Sequence, residues 1–419
     1  MSRGDKSSQI LTSVPESAVL RWFLISAFLV SSALNYLDRL LLASLAPVLK
    51  TEFHLNDLGY GNLVAAFAIT YAISSPVLGW LMDRFGLSPI TTIAVGMWSA
   101  AGIASGFVYS YASLFWCRVV LGIGEAGGIP ATGKAYGTYL LPKERALGAG
   151  VGQIGISAGS LIAPLLAAWA LRRGHWQWAF VAAGAFGFVW IAGWLFIDRQ
   201  FPVRPARSAR TIRPGDLLRD SRFLRLVAAN FLTMAGYTLW TNWTTLYLVT
   251  TFSLNAEYAN RAFAWIPPLG GTAGALIGGY WSMRKIASGS EVVSARIRVF
   301  LIMSLLATET ALVPLCPTPG WATAAVALSY LFIAAGSTNL YTIPVDLYGS
   351  QRAALAVSGL VASYGATTAV FNPLFGAMIT RYGSYAPVCA MVAVLPLAAY
   401  FFIRNITPLN ESQTASSSI

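Results

Sequence analysis

The feature that most constrains this chain is a succession of twelve apolar stretches, each long enough to cross roughly 30 Å of hydrocarbon as an α-helix. They run over residues 22–48, 58–81, 89–109, 112–139, 146–171, 176–197, 223–252, 259–282, 297–315, 321–346, 354–380 and 384–403. Lipid offers a backbone polar group no water to bond, so stretches of this kind close their hydrogen bonds within themselves as helices. Composition points the same way: 56% of the residues are hydrophobic and 11% charged, with a mean hydropathy of +0.62, against roughly 25% charged residues in an average globular domain. A soluble fold is excluded. The expected class is an all-α membrane protein of twelve transmembrane helices in two six-helix bundles. Arg3, Lys6 and Arg21 precede the first apolar run, but that run contains Asp38 and Arg39 and has no small-residue cleavage site. It reads as a retained first span, not a signal peptide.

The longest polar break, Asp198 to Arg222, carries Arg199, Arg204, Arg207, Arg210, Arg213, Arg219 and Arg222 and divides the spans six and six. The expected organisation is a first bundle over 1–197, a cytoplasmic linker over 198–222 and a second bundle over 223–419. With the N-terminus in the cytoplasm, the cytoplasmic segments hold 20 Lys or Arg and the outer loops five. That asymmetry fixes the orientation, places both termini in the cytoplasm and assigns the chain to the inner (plasma) membrane. It also accounts for the net charge of +12, so no nucleic-acid partner is expected. Cys117, Cys316, Cys389, His54 and His175 are far apart with no ligand spacing, so neither a metal site, a cofactor nor a disulfide framework is expected. Two six-helix halves joined by a long cytoplasmic loop is the plan of transporters that rock two bundles about a midplane site. Such a chain is expected to work as a monomer in contact with membrane lipid, and not as an enzyme.

Four charges stand where the membrane should be. Translocon scales put a charged residue at a helix centre at about 2.5–3.5 kcal/mol, so Asp38, Arg39, Arg118 and Glu125 need compensation. A rise of 1.5 Å per residue puts Asp38 about 15 Å below the outer face, Arg118 about 9 Å, and Glu125 and Tyr71 about 20 Å each. Arg118 and Glu125 are seven residues apart, which brings them to one face of their helix. Two readings are open: ion pairs that hold helices together, or a wet cavity in which an anionic substrate completes the pairing. Four charges at matched depth in one half favour the second. A carboxyl group there is opposed by desolvation and favoured by neighbouring arginines, the condition for coupling to protons.

The residues that carry these charges resemble a known family. Asn35-Tyr36-Leu37-Asp38-Arg39 followed by Ala46-Pro47, and the run from Arg118 through Gly122, Glu125 and Pro130 to Leu141-Pro142-Lys143-Glu144-Arg145, resemble the span 1 and span 4 signatures of the anion:cation symporters of the major facilitator superfamily. Bacterial members similar in these motifs import sugar acids such as hexuronates and galactonate with protons. The resemblance implies that Asp38 and Glu125 carry protons, that Arg39 supports coupling, and that Arg118 engages the substrate carboxylate or pairs with Glu125 between cycles. Tyr36, Tyr71 and Gln153 would then hydrogen-bond sugar hydroxyls. Gly79-Trp-Leu-Met-Asp83-Arg84-Phe-Gly86 is similar to the superfamily's cytoplasmic gating loop and assigns Asp83 and Arg84 to a latch. In span 11, Ala366 stands where many sugar-acid carriers have Asn, which leaves Tyr364, Thr367 and Asn372 as candidate substrate contacts. Tyr237, Trp240 and Asn242 in span 7 form a plausible sugar-stacking wall of the second half.

Gly122 to Gly127 matches GxGxxG, but it lies inside an apolar span with no strand before it, so it is not a dinucleotide fingerprint. The spacing of Gly148, Gly152, Gly155 and Gly159, and of Gly270, Gly274 and Gly278, predicts close helix packing. Lys134 lies near the inner face, half a turn from Glu125, and is expected to snorkel and not to bind substrate. The resulting expectation is a proton-coupled symporter that imports a sugar acid, such as a hexuronate or aldonate, by alternating access. The alternatives are a carrier or exchanger of small aromatic or dicarboxylic anions, a transporter-like nutrient sensor, and an anion channel.

Overall fold

The computed structural model describes residue 15 and residues 17–140, 144–200 and 217–406; Arg204, Arg207, Arg210 and Arg213 of the expected linker lie outside them. Every regular element among the described residues is helical. All twelve predicted spans fall in helix, and nine described helices are long and apolar enough to cross a membrane on length and composition alone. Predicted span 11 lies on the same continuous helix as span 10, and predicted spans 7 and 8 do not reach that threshold. Their sequences are rich in Thr, Asn, Tyr and Gly, and the side chains concerned bond or pack inside the bundle, as described below.

The first unit comprises Met1–Leu55, Ala66–Thr211 and Asn255–Trp265. Its helices are α1 (Ala18–Glu52), α2 (Asp57–Phe85), α3 (Leu87–Ser105), α4 (Tyr111–Glu125), α5 (Gly128–Tyr139), α6 (Arg145–Arg172) and α7 (Gln177–Gln200). Local chemistry sets the ends. Ser110 and Ser113 cap α4 reciprocally, satisfying amide donors that the first helical turn leaves over. Gly86 takes φ +100° between α2 and α3, a backbone that L side chains rarely adopt. Span 4 is not the continuous helix that its apolar pattern predicts: it stops at Glu125 and restarts at Gly128. The run Gly124-Glu-Ala-Gly-Gly128 is poor in helix formers, and Asn35 of α1 donates to the Glu125 carbonyl at 3.3 Å. The break therefore falls at a carboxylate central to the site.

The second unit comprises Asn56–Ala65, Ile212–Leu254 and Ile266–Ile419. It contains α8 (Ser221–Phe252), α9 (Ile266–Ala287), α10 (Val292–Leu306) continued by a 3-10 stretch (Ala307–Leu315), α11 (Pro319–Tyr382) and α12 (Ala386–Ile403). α11 folds back on itself. The Tyr341 hydroxyl reaches the Leu360 carbonyl at 3.4 Å, whereas a straight helix would hold those residues about 28 Å apart. Two short segments group with the other half from the one their position suggests. Tyr60 donates to the Asn242 carbonyl at 2.6 Å within the second unit, and Asn260 donates to the Ser44 carbonyl at 2.7 Å within the first.

Glycines set how closely the helices approach. A Cβ added at Gly155 or Gly159 of α6 would collide with the Leu29 or Ala33 carbonyl of α1, and one at Gly270, Gly274 or Gly278 of α9 with the Ala327, Leu331 or Ala335 carbonyl of α11. The small residues predicted from spacing are thus the seams of both units. At the second unit's counterpart of the α1–α6 seam, hydroxyls replace the glycines: Ser363 donates to Val227 at 2.9 Å and Thr367 to Phe231 at 3.0 Å. Leu29 and Ala33 therefore correspond to Val227 and Phe231. Continued along the helix, the same register sets Asp38 opposite Gly236 and Arg39 opposite Tyr237. The capping residues Ser110 and Thr318 likewise align Arg118 with Val326 and Glu125 with Ile333, and the Gly236 backbone packs on Ile333. Where the first unit has charges, the second has none.

Gly274→Ala is expected to destabilise the protein by about 1–3 kcal/mol through overpacking. Gly133→Ala, with nothing within 4 Å of the added methyl, serves as a neutral control. Thermal unfolding of the two variants in detergent distinguishes a seam from a mere glycine-rich stretch.

Candidate functional site

In the first unit, Arg39 of α1 donates from Nε to Glu125 Oε2 at 3.2 Å, with Nη2 also 3.2 Å from the same oxygen, and Nη2 donates to Asn35 Oδ1 at 3.3 Å. Asn35 thus bonds both the Glu125 backbone and the arginine that pairs with its side chain. The guanidinium also lies over three rings, 4.8 Å from Tyr36, 5.0 Å from Phe67 and 4.7 Å from Tyr71. Aromatic faces attract a cation in a desolvated setting. Arg118 lies 4.8 Å from the same Phe67 ring. Phe67 thus lies against both arginines, a position that the apolar pattern of span 2 does not single out.

Burial separates the members of this cluster. Glu125 is fully buried, and Arg118 and Asp38 are each 2% exposed, whereas the Arg39 side chain keeps 13% exposure. Asp38 and Arg39 are neighbours on α1 and so point about 100° apart. Arg39 meets α2 and the end of α4; Asp38 lies beside Gly102 of α3. Neither Asp38 oxygen has a hydrogen-bond partner among the described residues, and Asp38 sits within Coulombic reach of Glu125 and Arg118. Arg118 and Glu125 lie seven residues apart on α4, both buried, and Arg39 of α1 donates to the Glu125 carboxylate. Tyr36 and Tyr71 join the cluster as expected, while Gln153 is exposed on α6 and has no hydrogen bond to it.

The second unit presents aromatic and hydroxyl groups. Tyr237 of α8 packs edge-on against Tyr330 at 5.1 Å and against Tyr364 at 5.9 Å, both from α11. Thr241, one turn along α8 from Tyr237, shares a hydrogen bond of 2.7 Å with the Tyr330 hydroxyl. Tyr330 and Thr241 were not anticipated from sequence, since a single Tyr and a single Thr in separate spans give no periodic signal. The remaining candidates have internal partners. Trp240 is 1% exposed and packs against Tyr247. Asn242 donates to the Thr238 carbonyl at 3.0 Å. Asn372 donates to the Thr368 carbonyl at 2.7 Å and accepts from Trp243 at 2.9 Å, and Thr367 belongs to the seam described above.

At the predicted gating loop, Arg84 is exposed and lies over Trp80 and Phe85; the Asp83 side chain is outside the described residues. Lys134 does more than snorkel: its Nζ donates to the Met82 carbonyl at 2.6 Å, close to the end of α2. No group of three or more His, Cys, Asp or Glu side chains among the described residues could hold a metal ion.

A helical bundle with a buried cation–carboxylate cluster suits several membrane functions, and comparison with known proteins decides the family. The Major Facilitator Superfamily model matches residues 28–361. The chain belongs to the Major Facilitator Superfamily. This is a family of transporters, so the protein is a multi-pass membrane protein and not an enzyme. It is 26% identical over 409 residues to a hexuronate transporter of Escherichia coli (strain K12), covering 92% of this chain and 94% of that one. It is 27% identical over 303 residues to a galacturonate transporter of Dickeya chrysanthemi, covering 67% and 88%. A crystal structure of a bacterial homologue of the human lysosomal transporter Spinster superposes with a TM-score of 0.72 at 20% identity, covering 93% and 95%. The fold of this superfamily member is therefore that of a solved transporter.

Removing one partner of a buried ion pair leaves an uncompensated charge and costs about 3–5 kcal/mol. Arg39→Gln is expected to lower thermal stability by an amount in that range, and Glu125→Gln added to it to restore much of the loss. Additive losses in the double variant, read from thermal unfolding, would show that the two side chains are not energetically coupled.

Proposed function

We propose that this superfamily member is a proton-coupled symporter of the inner membrane that imports a sugar acid, with both termini in the cytoplasm. The observation that carries the reading is the Arg39–Glu125 ion pair with Asp38 and Arg118 buried beside it. Support for the substrate class comes from the hexuronate and galacturonate transporters to which the chain is similar.

The cycle follows from charge balance. A proton on Glu125 removes the anion to which Arg39 is bonded, and a proton on Asp38 removes a second negative charge within Coulombic reach of Arg118. Two guanidinium groups then hold net positive charge in a low-dielectric site, where an incoming carboxylate gains far more than it would in water. Tyr36 and Tyr71, on the ring wall around Arg39, offer hydroxyls to the sugar. With both acids protonated and one carboxylate bound, the two guanidinium charges are reduced to one net positive charge, so the substrate halves the charge that the conformational change must carry. On the cytoplasmic side the protons leave, the carboxylates reclaim the arginines and the substrate is expelled. Asp38, pointed at α3, acts in this scheme through Arg118 and Glu125 and not by touching the sugar. Among the candidates of the second unit, Tyr237 and Tyr364 are assigned to substrate, and Trp240, Asn242, Thr367 and Asn372 to packing.

Reconstituted in liposomes, Glu125→Gln is expected to lose galacturonate accumulation driven by a pH gradient while retaining exchange of external for internal galacturonate. Accumulation equal to wild type would remove Glu125 from coupling, and transport of no sugar acid by the wild-type protein would remove the substrate class.

A further inference from the structure

In the second unit, α10 changes its winding inside predicted span 9. From Ala307 to Leu315 it continues as a 3-10 helix, with three residues per turn, so side chains three apart stand in line. Glu309, Leu312 and Leu315 form one such line, with Leu306 before them. Leu312 and Leu315 are 58% and 76% exposed, and Leu306 is exposed as well. An exposed row of leucines on a membrane span is a surface made for hydrocarbon. Glu309, itself only partly buried, stands in that row, about 12 Å from the end of the span at Leu315. It is an ionisable group at membrane depth that belongs neither to the charge cluster of the first unit nor to the motifs that carry the family resemblance.

Its surroundings hold no cation. Over residues 226–252, 266–282, 299–315, 319–343, 356–380 and 386–403, within the six predicted spans of the second half, the sequence contains no Lys, Arg or His, and Glu309 is the one acid. Among the described residues its side chain has one hydrogen bond: Ser329 of α11 donates to Oε1 at 2.5 Å. Ser329 is fully buried and shares a bond of 2.8 Å with the buried Thr310. The titratable groups on the packed elements are thiols and phenols. Cys316, at the end of the stretch, and Cys389 of α12 lie within Coulombic reach of Glu309. Tyr247 of α8 donates to the Val313 carbonyl at 3.0 Å, and Tyr330, next to Ser329 on α11, is bonded to Thr241. An ionised carboxylate here has a single hydroxyl donor and no counter-charge, and an ion taken out of water on those terms is heavily penalised. A neutral carboxylic acid needs no more than the site offers.

We propose that Glu309 is a proton-binding site separate from Asp38 and Glu125, one that keeps its proton at neutral pH, faces lipid and is modified by apolar carbodiimides arriving from the bilayer. The proton is resident and is not among those that travel with substrate: when a proton leaves Glu125, Arg39 takes the carboxylate, whereas nothing of the kind stands beside Glu309. This goes beyond the symport reading and holds for any cargo. The modification follows from the protonated state. The acid O–H adds across one C=N bond of the carbodiimide, the proton going to nitrogen and the carboxyl oxygen bonding the central carbon as the C=N double bond becomes single. Nothing leaves, so the protein gains the mass of one reagent molecule. An ionised carboxylate in a dry site brings no proton to this addition.

The test treats the purified full-length protein in liposomes, at neutral pH, with dicyclohexylcarbodiimide or with a water-soluble cationic carbodiimide, and maps the modified peptides by mass spectrometry. Glu309 is expected to gain one dicyclohexylcarbodiimide, and at least about tenfold less of the cationic reagent, which hydrocarbon excludes as it does any ion. No gain from the apolar reagent would show a carboxyl that is ionised or closed to lipid, and equal gain from both reagents one that faces water; either result overturns the inference. Mapping keeps this label apart from any on Asp38 or Glu125. In a second arm, Glu309→Gln preserves the shape and neutrality of the acid. It is expected to keep the wild-type thermal midpoint and the wild-type accumulation of galacturonate driven by a pH gradient. Accumulation lost in the folded variant, with galacturonate exchange retained, would make Glu309 a coupling acid and overturn the resident proton. If the wild-type protein moves no galacturonate, the sugar-acid reading fails, and the labelling arm still decides this inference.

Discussion

The arrangement depends on one interaction, the ion pair between Arg39 and Glu125 in a part of the chain that spans lipid. Two charges there are tolerated only when each supplies what water would have supplied to the other. The surroundings complete that exchange. Asn35 bonds the guanidinium on one side and the Glu125 backbone on the other, and three aromatic faces surround the guanidinium. Even the break in span 4 belongs to it, since the carbonyl released at Glu125 is the one that Asn35 takes. In the proposed cycle this pair alternates between two conditions: bonded, or opened by a proton on the acid and a new anion on the arginine.

Close packing is what makes so exact a placement possible without a large apolar driving force between helices. In lipid the helices gain little from hiding apolar surface, and their association relies on van der Waals contact and hydrogen bonds. The glycine faces of α6 and α9 bring backbones together where no side chain would fit, and Ser363 and Thr367 do the same with hydroxyls that bond the opposing carbonyls. The two units share this framework at matching positions but fill it differently. Tyr237, Val326, Gly236 and Ile333 hold in the second unit the helix positions that Arg39, Arg118, Asp38 and Glu125 hold in the first, so at these four positions one half is charged and the other is not.

Much of this was legible in the sequence because membranes impose a severe code. Apolar run length gave twelve helical spans, and a charge at membrane depth is costly enough that Asp38, Arg39, Arg118 and Glu125 stood out before any geometry. Glycine spacing gave the seams. Three things were not legible, each for a physical reason. Which arginine bonds Glu125 depends on the rotation of α1 against α4, which helix periodicity within one span does not specify. Phe67, Tyr330 and Thr241 look like ordinary span residues, and only the convergence of different helices brings them to the site. The polar residues of spans 7 and 11 looked like substrate ligands because a hydroxyl or amide in lipid invites a functional reading; Thr367, Asn242 and Asn372 instead bond backbone within the bundle. Polarity in a span marks a need for a partner, and the partner can be another helix.

If the Glu125 carboxylate and the substrate anion compete for Arg39, binding substrate must change the number of protons bound. Isothermal titration of galacturonate into the purified protein, in buffers of different ionisation enthalpy at the same neutral pH, measures that number. The account predicts net proton uptake on binding, seen as an observed enthalpy that depends on the buffer, and its loss in Glu125→Gln. An enthalpy independent of buffer in the wild-type protein, with galacturonate bound, would contradict it.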